Sequence, residues 1–188
     1  MPDAILSERR PRADRLRNRE RLLRAAKAVF SEAGSLGAVA QRAGVGIGTL
    51  YRHFPTREAL FEAVYRQEVE TLAELADELR TAPPVDALRQ WLHADVAFIA
   101  TKKGMLNALA LSMTASHLLA TYSMDRLGRA LQPLLDRAVD SGTIRSGLDA
   151  ADLLRTVVGL CYTQEASDWQ ANVLRLLEVF LAGMEVRR

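Results

Sequence analysis

The chain has 188 residues, 49% of them apolar, one cysteine and a formal charge of +2. That length and apolar share suit one or two folded domains and exclude wholesale disorder. The lone Cys161 excludes an internal disulfide or a multi-cysteine zinc site.

The small net charge hides a split. Residues 1–66 hold 13 Lys+Arg against 7 Asp+Glu, a balance of +6, and the remainder hold 12 against 16, a balance of −4. Positive charge gathered at one end is the footprint of a head that binds a polyanion. No apolar stretch approaches the ~18 to 20 residues of a membrane span, and the N-terminus is too polar for a signal peptide, so a cytoplasmic protein is expected. Leu, Ala, Arg and Glu dominate and β-branched runs are absent, which predicts an all-α fold of about nine helices.

Residues 1–11, with Pro2 and Pro11 and no sustained apolar period, read as a flexible arm. From Ala13 to Ala33 the positions Leu16, Leu22, Leu23, Ala26, Val29 and Phe30 recur at helical spacing, with arginines on the other faces. Ser35 is a good N-cap for a second helix that ends at Ala43. Gly44 then supplies a left-handed turn, and a short third helix covers roughly Ile47 to Phe54. Crossed helices joined by such a turn form a helix-turn-helix, whose second member enters the major groove of DNA. Pro55 stops the third helix, and Thr56 caps a fourth that runs to about Thr81.

Pro83-Pro84 marks a break. A helix is predicted from Val85 to Thr101, and Gly104 punctuates before another from Met105 to about Met113. The stretch 114–123 reads as loop or helix entry. Further helices follow over Asp125–Asp140 with Pro133 inside, from Ala150 to about Tyr162, and from Asp168 to about Val186. The divisions expected are an arm over 1–11, a DNA-binding head over 12–55 and a ligand-binding, dimerising domain over 56–188.

The motif order resembles that of bacterial TetR/AcrR-family transcriptional regulators. The residues carrying the resemblance are Ala26, Phe30 and Gly34, then Ala40, Ala43-Gly44-Val45, Gly48-Thr49-Leu50-Tyr51, His53-Phe54 and Arg57-Glu58-Ala59-Leu60. They cover about the first third of the chain; beyond it only helix number and order match. The resemblance implies a homodimer that binds a palindromic double-stranded operator as a repressor and is released by a small-molecule effector. Thr49, Tyr51 and His53 suit phosphate hydrogen bonds, Arg57 adds charge at the start of the fourth helix, and Arg52 is the candidate for a guanine edge. Ile47 can meet a thymine methyl beside Gly48, while Leu50 and Phe54 are expected in the core. The three histidines His53, His93 and His117 form no metal-ligand spacing, and neither a metal nor a cofactor is expected.

One departure from the family concerns Gly34-Ser35-Leu36, several residues shorter than the usual joint between the first two helices. Either the first helix unwinds early or a stretch of chain is missing from the sequence here; the second is favoured.

In the C-terminal part, Trp91, Asp95, Phe98, Met105, Leu109, Met113 and Met124 are candidate pocket residues. Asp95 is the sharpest, because a carboxylate on an apolar face needs a partner, either Lys102, His117 or a polar effector. Leu153, Val157, Leu160, Trp169, Val173, Leu176 and Phe180 exceed what one small bundle buries and are expected at a four-helix dimer interface. No Gly-rich phosphate loop or nucleophile–base set supports an enzyme. The alternatives are a TetR-like activator and a helix-turn-helix used for protein contacts.

Overall fold

The computed structural model describes residues 3–32, 34–107, 113–163 and 168–186. Eight α-helices and one 3-10 turn are found among them. They are α1 (Asp3–Ser31), α2 (Leu36–Ala43), α3 (Ile47–His53), α4 (Arg57–Glu78), the 3-10 turn (Leu79–Thr81), α5 (Pro84–Asn107), α6 (Met113–Asp140), α7 (Ala150–Tyr162) and α8 (Trp169–Met184). None of the described helices is long and apolar enough to cross a membrane.

Two compact units divide the chain: Met1–Tyr65 with Gly104–Leu111, and Arg66–Lys103 with Ser112–Arg188. In the first, α1 packs on α2 and α2 on α3. Its core is Leu22, Ala26, Val29, Phe30, Val39, Leu50, Phe54 and Leu60. Phe30 also meets Phe61 of α4, with ring centroids 6.4 Å apart.

Local capping chemistry sets the joints. Gly44 closes α2 at φ 63°, and its turn is held by Gly44 N–H to Gln41 C=O and Val45 N–H to Ala40 C=O, both 3.0 Å. That left-handed backbone costs an L-residue about 1 to 2 kcal/mol, so glycine belongs there. Ser35 Oγ accepts from Ala38 N–H at 3.2 Å, and Thr56 Oγ1 from Ala59 N–H at 3.0 Å. With the joint as short as the sequence has it, α1 stops at Ser31 and Gly34 N–H donates back to Val29 C=O at 2.8 Å. A Cβ at Gly34 would lie 2.4 Å from Val29 Cγ1, so the close return also requires glycine.

In the second unit α6 packs on α7 and α7 on α8. The Trp91 indole N–H donates to Leu72 C=O at 2.9 Å and holds α5 to α4. Arg126 grips both oxygens of Glu70, joining α6 to α4. Glu178 of α8 receives Arg89 Nε at 3.1 Å and lies 2.7 Å from His93 Nε2, both on α5. An isolated antiparallel bridge pairs Ile144 with Glu185.

Two expectations are corrected. The segment read as an arm is helical from Asp3, with Pro11 inside α1, since Ala4, Leu6, Glu8, Arg9 and Arg10 are good helix formers around the missing amide. No break follows Gly104, because α5 continues through that glycine to Asn107, and residues 108–112 of the helix predicted there lie outside the described residues. An interior glycine costs only about 1 kcal/mol relative to alanine, which the packing of a 24-residue helix offsets. The ambiguous stretch 114–123 is the first part of α6, and Pro133 lies on its exposed side without ending it.

Candidate nucleic-acid interface

The short α3 is anchored from below. Leu50 and the closing Phe54 are buried, leaving the opposite face to solvent. On that face Ile47 is 45% and Tyr51 48% exposed, one turn apart, with Gly48 and Arg52 forming a second exposed pair. Thr49 and His53 are half-buried along the edge. The structure thus brings six of the seven predicted head residues to one accessible helix.

Thr49, Arg52 and His53 also wall a cleft of about 510 Å³ whose far side is Asp14, Arg15 and Asn18 of α1. Burial, followed by the guanidiniums of Arg15, Arg19 and Arg52, holds the His53 imidazole below its ordinary 6.5. Arg19 lies over the Phe54 ring at 5.5 Å, so its charge is fixed beside α3. Asp14 is ion-paired with Arg17. A smaller cleft of about 300 Å³ is lined by Arg21, Arg24 and Arg42 with Ala25 and Ala43. The field over this unit is positive, as its composition requires.

Arg57 departs from the expected role. Its guanidinium turns into the head, where Nη2 donates to Gly34 C=O at 3.0 Å and the group lies 5.5 Å over the Phe30 ring. Its Nε is buried with no partner among the described residues. Helical spacing placed Arg57 in the first turn of α4 but said nothing of its rotamer. Arg15 and Asn18, conversely, were not singled out as site residues: only the packing of α1 brings them beside α3, and the arginine-rich α1 pattern was the one available hint.

Two family profiles match the chain: "Bacterial regulatory proteins, tetR family" over residues 22–64, and "Transcriptional regulator SbtR-like, C-terminal domain" over residues 83–186. The second covers more than half of the chain. The chain belongs to the TetR family of transcriptional regulators. Its similarity to the TetR regulator SCO0520 of Streptomyces coelicolor is 36% in identity, with TM-score 0.76, covering 90% of this chain and 99% of that one. A TetR regulatory protein of Mycobacterium vanbaalenii is 31% identical, with TM-score 0.70, covering 93% and 99%. The HTH-type transcriptional repressor KstR of Rhodococcus jostii is 26% identical over 181 residues, covering 90% of this chain and 85% of the repressor.

In TetR-family terms the C-terminal residues divide sharply. Asp95 is 2% exposed, and its Oδ2 has no hydrogen-bond partner among the described residues. Burial raises its carboxyl to about 7, opposed by the nearby Lys102 ammonium. Burial in turn lowers Lys102, with Asp95 working against it. His117, the other expected partner, is exposed on α6. Cys161 is buried, its thiol pushed up to about 12 by burial and then by Asp95. Trp91 is sealed in the core with its donor satisfied by Leu72, so its surface is committed to packing. Phe98 and Met124 are half-buried. Leu109 lies outside the described residues, as do the side chains of Met105 and Met113.

Of the expected interface set, Leu153, Val157 and Val173 are buried within the protomer. Leu160, Trp169 and Phe180 are half-buried, while Leu176 is 39% exposed. Val179, which the sequence reading passed over, is 68% exposed one turn beyond Leu176. Both faces of α8 are rich in apolar residues, so periodicity alone does not say which one points inward.

Proposed function

We propose that this TetR-family chain is a ligand-responsive repressor, acting in the cytoplasm as a homodimer on a palindromic operator rather than as an enzyme. The observation that carries the reading is the exposed face of α3, with Ile47, Gly48, Tyr51 and Arg52 accessible on a basic head. In this reading α3 lies in the major groove. Thr49, Tyr51 and His53 hold phosphates, which fixes register, and Arg52 grips a guanine edge. Gly46 and Gly48 carry no side-chain donors, so part of the sequence preference comes from DNA shape. Residues 12–55 with the first turns of α4 form the DNA-binding part, and the remainder holds effector and twin. An effector with different affinity for two spacings of the paired heads shifts the population away from the DNA-bound form.

The test is selection of duplexes from a random pool by the purified protein. Recovered sequences should form an inverted repeat with half-sites about 34 to 36 Å apart, or a multiple. Tyr51→Ala and Arg52→Ala should each weaken binding about tenfold or more with the dimer intact. Absence of affinity for any duplex at low ionic strength overturns the reading.

A further inference from the structure

We propose that the cleft between α1 and α3 seats one backbone phosphodiester of the bound duplex, with Arg15 and Asn18 of α1 completing the donor set begun by Thr49, Arg52 and His53. This assignment rests on the reading of α3 as the DNA-contacting helix and extends it to a helix outside the helix-turn-helix pair.

The chemistry of the walls selects the ligand. Arg15 and Asn18 line the cleft from α1, and Thr49, Arg52 and His53 line it from α3, so two guanidinium-bearing side chains, two neutral donors and one imidazole share its walls. Such a group of donors with two positive charges fits an oxyanion flanked by neutral sugar, and about 510 Å³ accommodates a sugar–phosphate unit. The single acid on the wall, Asp14, is occupied by Arg17, so it does not repel the phosphate at full strength. Guanidiniums crowded together without an anion repel one another, and a phosphate relieves that repulsion.

The same crowding makes His53 a proton-linked member of the site. The charged groups facing it are Arg15 and Arg19 from α1 and Arg52 from α3, all positive, with the paired Asp14 further along the wall. In the unbound protein burial, and after it these cations, favour the neutral imidazole. A phosphate set among them cancels the repulsion and adds an acceptor for the ring N–H. The imidazole then takes a proton from solvent as the complex forms. Association therefore strengthens as pH falls through the range in which the complexed imidazole titrates and the unbound one does not.

The experiment uses the full chain and a fluorescently labelled mixed-sequence duplex, because phosphate contacts do not depend on sequence. Anisotropy titrations at several salt concentrations give affinity and the slope of log K against log salt. Arg15→Ala should lower affinity and make the slope shallower by about 0.9, the signature of one lost phosphate contact. Asn18→Ala should weaken binding about three- to tenfold without changing the slope. Arg155→Ala, an exposed arginine of α7 paired with Asp152, is the control and should leave both unchanged. Wild-type affinity should rise as pH is lowered from about 8 to about 5.5, and His53→Gln should flatten that rise. Full affinity and slope in Arg15→Ala and Asn18→Ala, or an equal loss in Arg155→Ala, overturns the subsite. A His53→Gln profile parallel to wild type overturns the proton linkage. Failure of the wild-type chain to bind any duplex instead removes the DNA-binding reading itself, and the two failures are thereby distinguished.

Discussion

Arg57 Nη2 donates to the Gly34 backbone carbonyl at 3.0 Å, so the first turn of α4 is stapled to the joint that follows α1. Replacing Arg57 with alanine removes a charged hydrogen bond and the contact over Phe30. The expected cost is about 2 kcal/mol in chemical unfolding. The salt slope of DNA binding should stay at its wild-type value, since no phosphate contact is lost. A shallower slope with unchanged stability shows instead that Arg57 reaches DNA.

Asp95 gives a stability signature with a definite sign. Its folded carboxyl is raised to about 7 from 3.8, so between those values the folded chain binds a proton that the unfolded chain has released. Stability therefore falls as pH rises through that window and stays low above it. Asp95→Asn removes the charging penalty and should stabilise the protein by about 1 to 3 kcal/mol near pH 8, with no gain below the window. Thermal melts across pH check this; equal melting shifts at all pH values contradict it.

Glu70 carries the opposite sign. The Tyr122 hydroxyl, donating at 2.6 Å, is the main cause holding the Glu70 carboxyl below its ordinary 4.5, opposed by burial and helped by Arg126. Its contribution is complete above 4.5 and is lost as pH falls through the lowered folded value. Tyr122→Phe should cost about 1 kcal/mol near neutrality, the site being partly open to solvent, and should blunt the acid loss. Unfolding curves at neutral and acid pH measure both.

Val179 stands on the outer face of α8 with Leu176. Val179→Glu places a charge where a twin helix is proposed to pack, leaving the protomer core untouched. Light scattering on the eluted protein should show a monomer with unchanged helicity. A persistent dimer moves the proposed interface elsewhere.

What the sequence made legible was local. Ser35, Gly44 and Thr56 were readable because each acts on backbone a few residues away; Ser35 Oγ, for example, accepts from Ala38 N–H at 3.2 Å. Gly104 misled because an interior glycine weakens a helix without stopping it. The contacts of Arg57 with Gly34 and Phe30 went unread because spacing fixes a position on a helix and not the direction of a long side chain. Whether Leu153, Val157 and Val173 face the protomer's own core or a twin was not readable, because periodicity marks an apolar face without saying what covers it. Arg15 and Asn18 stayed silent because their meaning depends on α3, which the fold brings back beside them.

The arrangement of Trp91 and Trp169, the two tryptophans of the chain, makes the protein its own optical reporter. Trp91 is sealed and tied to Leu72, so it emits toward the blue and shifts red when the α4–α5 contact opens. Trp169 is half-buried beneath the Lys103 ammonium at 4.4 Å, and its intensity responds to that lysine's departure. With either indole replaced by phenylalanine, the remaining emission follows one region alone, and an added effector can be watched at two separate places without a dye.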